Sequence, residues 1–161
     1  MKMMTRWIAG LALASLLPIA AHAADDPFLG TWRFNPAKST LPAELAKQVK
    51  SKEFVFAPTA DGVMVTETLE LTSANGKKQV SHLPYAYGKF TPQTGAGLDA
   101  FSVVKTGTNT ALWTTQLKGK DISKLQVDVS SDGKEMTFRY LSSAADPTGR
   151  VTQDRYVYDR Q

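Results

Sequence analysis

From Leu29 onward, apolar and polar residues alternate with a period of two in short runs. Glycine, proline, asparagine and aspartate break those runs at regular intervals. Period two is the signature of strands with one buried face. The pattern predicts strands over Leu29–Phe34, Glu53–Ala57, Val63–Leu71, Leu98–Lys105, Thr110–Leu117, Lys124–Ser130, Glu135–Ser142 and Val151–Tyr158. A ninth run, Lys77–Phe90, is expected to break at Pro84 or Gly88. Asn75-Gly76 and Asp132-Gly133 tolerate the positive φ of tight turns and mark hairpins. Nine strands joined by short turns mean an all-β meander, closed as a sandwich or a barrel.

One stretch keeps a different period. In Asn35–Lys52, Leu41, Leu45 and Val49 recur at i, i+4 and i+8, which predicts a short helix between the first two strands. Pro42 suits its first turn and Thr40 can cap it. Two roles are open for it: a plug in one end of the sheet, or a lid over a ligand mouth. Lys47, Lys50 and Lys52 gather near its end, where the helix dipole favours cations. They read as a solvated face, or as an attraction for an anionic ligand or membrane surface.

The N-terminus follows another rule. Lys2 and Arg6 form a basic start, Trp7–Ala21 is apolar, and Ala21-His22-Ala23 is a small-x-small cleavage site. That is a secretory signal. Fifteen apolar residues span about 22 Å as a helix, short of the roughly 30 Å of a bilayer core. The expectation is therefore a signal over 1–23, cleaved after Ala23, and one domain over 24–161. The product would be periplasmic or secreted, with no integral membrane segment.

Charge and composition narrow the functions. The 161 residues carry 19 Lys and Arg against 15 Asp and Glu. Removing the signal leaves 17 against 15, too balanced for a nucleic-acid binder. There is no cysteine, so no disulfide, thiolate metal site or thiol nucleophile. Only His82 remains outside the signal, which excludes a multi-histidine metal centre. No metal or cofactor is expected. His82 shares a strand face with Val80 and Pro84, opposite the more apolar face of Ser81, Leu83, Tyr85 and Tyr87, so it is expected at the surface or rim. No Gly-x-Ser-x-Gly elbow or phosphate loop is present, and Gly95-Ala96-Gly97 lacks the lysine and helix of one. Glu67, Glu70, Asp25 and Asp26 read as solvated acids rather than a catalytic pair. A non-catalytic protein is expected.

The first strand reads Phe28-Leu29-Gly30-Thr31-Trp32. This Phe-x-Gly-x-Trp resembles the opening motif of lipocalins and the wider calycin superfamily. The longer Gly30-Thr31-Trp32-Arg33-Phe34-Asn35-Pro36-Ala37-Lys38-Ser39 resembles the opening of small secreted bacterial proteins. The resemblance implies a single antiparallel up-and-down β-barrel of eight to ten strands with an internal cavity. It also implies a helical lid between the first two strands, where this chain has its helical pattern. The tryptophan would close one end, under an arginine from the last strand. Arg155 is the first candidate and Arg160 the second. The chain departs from lipocalins in lacking the central Thr-Asp-Tyr motif.

The one-sided aromatics supply the candidate ligand-binding set: Trp32, Phe34, Phe54, Phe56, Tyr85, Tyr87, Trp113, Phe138 and Tyr140, with Arg155 to orient a polar group. They either line a cavity for a small apolar or amphipathic ligand or fill the core. The first reading makes the protein a carrier. The second makes it a protein-interaction module such as an inhibitor or assembly factor, with its partner unnamed. Glu67 is the anomaly. It interrupts the face of Val63, Val65, Leu69 and Leu71, and if that face is interior it needs Arg139, Arg155, a tyrosine hydroxyl or a ligand cation as partner.

Overall fold

The alternation translates directly into strands. A computed structural model describes residues 26–41, 47–71, 78–94, 97–143 and 154–161. Ten strands run in chain order: β1 (Gly30–Phe34), β2 (Val49–Thr59), β3 (Gly62–Leu71), β4 (Lys78–Tyr85), β5 (Phe90–Pro92), β6 (Ala100–Lys105), β7 (Thr110–Leu117), β8 (Lys120–Val129), β9 (Glu135–Ser143) and β10 (Arg155–Arg160). The expected break at Pro84 or Gly88 separates β4 from β5. Each strand pairs antiparallel with its sequence neighbour, except that β1 pairs with β10 and β4 does not pair with β5. The order β4-β3-β2-β1-β10-β9-β8-β7-β6-β5 is an up-and-down meander rolled into a nearly closed barrel. This is the fold class expected from the sequence.

The seam lies between β4 and β5, and side chains stitch it. Gln93 donates from Nε2 to the carbonyl of Pro84 at 2.7 Å. The amide of Ala86 donates to Thr91 Oγ1 at 3.2 Å. The amide of Gly88 donates to the carbonyl of Val103 at 2.9 Å. Backbone groups that a ladder would pair are thus partly satisfied across the gap.

The helix expected between β1 and β2 falls mainly on residues 42–46, outside the described residues. Lys47 and Gln48 are the only helical positions among the described ones. The Asn75-Gly76 turn and the signal over 1–23 also lie outside them. The Asp132-Gly133 turn is present between β8 and β9, with Gly133 at φ 70° and its amide donating to the Ser130 carbonyl at 2.9 Å.

Register puts one side chain in two inside. Opposite partners share a face, so Phe54 against Glu67, Trp113 against Leu125 and Phe138 against Tyr156 all point inward. Part of the interior is solid. Phe28, Trp32, Phe56, Val63, Val65, Tyr85, Val103, Ala111, Val127, Val129 and Met136 are buried in one cluster.

Gly62 fixes the β2–β3 turn against β4. Its φ is +154°, and a Cβ added there would sit 2.2 Å from the backbone oxygen of Tyr85. Gly62→Ala is expected to cost about 1–3 kcal/mol, because the clash is with backbone and the conformation is strained. Urea denaturation measures it. Gly133→Ala has open space around its Cβ and is expected to cost less. Equal losses would contradict the steric account.

Candidate functional site

The rest of the interior is open. An inner cavity of about 230 Å³ has an apolar wall of Phe54, Leu83, Leu98, Phe101, Trp113, Leu125 and Phe138. Its polar groups are Lys52, Glu67, Thr115, Tyr140, Tyr156 and Tyr158. An adjoining outer cavity of about 250 Å³ is lined by Phe34, Gln48, Val49, Lys52, Leu69, Leu71, Tyr140 and Tyr156. Lys52, Tyr140 and Tyr156 belong to both, so these three side chains form the wall between them. Taken together the two reach the range of small-molecule sites, roughly 300–1,000 Å³.

The apolar wall is a ring cluster. Phe138 stacks on Phe54 at 5.3 Å between centroids and meets Trp113 and Tyr158 edge-on at 5.0 and 5.1 Å. Offset and edge-to-face contacts at these distances are the favoured aromatic geometries. They hold the cavity wall rigid without filling the cavity.

The polar feature is an interior ion pair. Phe54 and Glu67 are opposite partners of β2 and β3, and Lys52 lies two residues before Phe54 on the same face. Lys52 Nζ meets Glu67 Oε1 at 2.7 Å, each side chain about a quarter exposed, at 23% and 24%. The ammonium also sits 5.1 Å from the Phe54 ring centroid, a cation–π distance. Burial and the Glu67 charge push the Tyr140 hydroxyl above its ordinary pKa, and Tyr158 well above it. Burial together with Tyr140 pushes Tyr156 up to about 12. The three tyrosines therefore present neutral O–H groups at ordinary pH.

Among the ten predicted ligand-binding residues, Phe34, Phe54, Trp113, Phe138 and Tyr140 line the two cavities. Trp32, Phe56, Tyr85 and Tyr87 do not. Trp32 and Phe56 are packed in the filled part. Tyr85 and Tyr87 belong to a polar network near Phe28: Tyr85 donates to Tyr87 at 3.4 Å, and Tyr87 donates to Asp26 at 2.7 Å. Lys105 completes it, 3.0 Å from Asp26 and 4.4 Å from the Tyr87 ring centroid.

Arg155 requires a correction. It is exposed on the outer face of β10, where it donates to the carbonyl of Lys38 at 2.9 Å. Tyr156, Tyr158 and Arg160 hold the inner face instead, since Trp32 pairs with Arg160 in register. Arg160, the second candidate, is the arginine over Trp32, 4.1 Å from its ring centroid. Val157, an outward neighbour of Arg155, is buried because the Asn35–Thr40 segment covers it, with Asn35 donating to its carbonyl.

Two further expectations meet the structure. His82 is exposed on the outer face, 3.2 Å from Thr66 Oγ1. Lys50 and Lys52 are strand residues rather than helix-end cations, paired with Glu70 and Glu67. Among the described residues no cluster of three or more His, Asp or Glu could hold a metal ion, and no helix is long and apolar enough to cross a membrane. A larger concavity, about 610 Å³, lies elsewhere and is lined by polar loop and charged residues including Lys38, Asp132, Glu135 and Asp159. Lys38 there already pairs with Glu135 and, at 2.9 Å, with Asp159.

Comparison with known proteins agrees on the fold. No family model matches the sequence, and no curated protein does. Among solved structures, the chain is similar to a Schistosoma mansoni fatty acid binding protein in complex with arachidonic acid. Identity is 16% and the TM-score 0.52, over 85% of this chain and 98% of that one. It is also similar to secretory abundant heat soluble protein 4 from Ramazzottius varieornatus, at 13% identity and TM-score 0.52, covering 84% and 96% of the two chains. At these identities the likeness shows the fold alone, an antiparallel β-barrel shared with these two proteins.

Proposed function

We propose that the protein is a non-catalytic carrier that holds a small apolar or amphipathic molecule inside the barrel. The observation that carries this is the aromatic inner cavity adjoining a second one at Lys52, Tyr140 and Tyr156. Burying apolar surface there contributes about 25 cal/mol per Å². The few polar groups at the dividing wall orient the ligand's polar end. A fatty acid binding protein of similar fold, bound to arachidonic acid, supports the same reading. The signal pattern over 1–23 supports a periplasmic or secreted location for this carrier. Gln48, just before β2, and Val49, at its start, line the outer cavity.

Native mass spectrometry of the purified protein, against the same sample denatured, tests the reading. A reproducible added mass that leaves on denaturation is expected, together with uptake of a neutral hydrophobic fluorophore. The bare mass with no fluorophore uptake would overturn it in favour of the interaction module.

A further inference from the structure

We propose that the barrel selects an amphipathic ligand whose polar end is uncharged, a hydroxyl or amide, over one that ends in a carboxylate. The inference rests on the carrier reading and names its ligand class. Among the described residues lining either cavity, Lys52 is the only cation. Its charge is already matched by Glu67 at 2.7 Å. A carboxylate entering the site has two choices. It can displace Glu67 and place two carboxylates around one ammonium, or it can remain unpaired. Both are costly at a pair whose side chains are about three-quarters buried. A hydroxyl or amide avoids the conflict. It can donate to Glu67 and accept from Lys52 or from the protonated Tyr140 and Tyr156.

The experiment is displacement of N-phenyl-1-naphthylamine from the purified protein by 1-decanol and by decanoate at pH 8. Decanol is expected to displace the probe at a concentration roughly tenfold lower. In Glu67→Gln, Lys52 loses its internal partner, and decanoate is expected to gain roughly tenfold relative to decanol. Decanoate competing as well as decanol on the unmodified protein would overturn the inference and leave the carrier reading standing. So would a Glu67→Gln variant that folds and shows no gain for decanoate relative to decanol. The comparison on the unmodified protein decides the matter even if that variant does not fold. No uptake of the probe at all would overturn the carrier reading, and the inference with it.

Discussion

Replacing Trp32 with alanine is expected to lower the stability of the barrel by about 3–5 kcal/mol, the range for emptying a large buried aromatic site. That is a large part of the roughly 5–15 kcal/mol that holds a domain of this kind together. Trp32 is fully buried, and its Nε1 donates to the carbonyl of Phe28 at 2.9 Å. Its ring is also the shelf for the Arg160 guanidinium. That guanidinium ties two separate pieces of chain to β10, donating to the carbonyls of Gly133 at 2.6 Å in one and of Leu29 at 2.7 Å and Pro27 at 2.7 Å in the other. Gly30 belongs to the same device, since a Cβ there would lie 2.9 Å from Arg160 Nη1. Removing the indole therefore opens a cavity and leaves the clamp without its support. Equilibrium urea denaturation followed by circular dichroism reads the loss. Probe binding in the folded variant should persist, because Trp32 lies outside both cavities. A loss under about 1 kcal/mol would mean that the site collapses around the gap and that the Arg160 clamp holds without its shelf.

The barrel was legible because alternation, turn residues and a Phe-x-Gly-x-Trp opening agree with one another. Strand faces were legible for the same reason, since period two assigns Phe54, Trp113, Phe138 and Tyr140 to one side. The site was half legible, and each miss has a local cause. Lys52 shares a face with Phe54, yet the helical spacing upstream drew it into a helix-end cluster. Strand β2 begins at Val49 rather than Glu53, and that shift of four residues conceals an interior cation. Glu67 stood out as anomalous, but its partner is that same lysine, so one misplaced boundary obscured both. Arg155 and Arg160 differ by an odd number of residues and so lie on opposite faces. The register with Trp32 chooses between them, and register is a property of pairing. Which aromatics line space and which fill it depends on packing among ten strands. Trp32 and Phe138 look alike in a strand pattern, but one sits under a clamp and the other beside a cavity.

Raising the pH is expected to unfold the protein in one step above pH 10, with its tyrosines ionising as the fold is lost. All five tyrosines of the chain are shifted upward. Burial is the largest cause for each. Tyr156 is held up to about 12, whereas an unfolded chain ionises near 10. The direction of the effect follows. Below pH 10 both states keep their protons and stability is unaffected. Above it the unfolded state releases protons that the folded state retains. Each such tyrosine then favours unfolding by about 1.4 kcal/mol per pH unit, until its folded-state value is reached. Lys38, raised to about 12 chiefly by its hydrogen bonds to Glu135 and Asp159, adds a loss in the same direction. Absorbance at 295 nm and circular dichroism followed through one alkaline titration check this. Coincident curves are expected, with little tyrosinate before the structure is lost. The result bears on function, because Tyr140, Tyr156 and Tyr158 line the inner cavity and must stay protonated to act as neutral donors there. If two or more tyrosines ionise near pH 10 while the dichroism is intact, their hydroxyls are in contact with bulk water. The cavity would then be a wet cleft rather than a compartment that shelters a ligand.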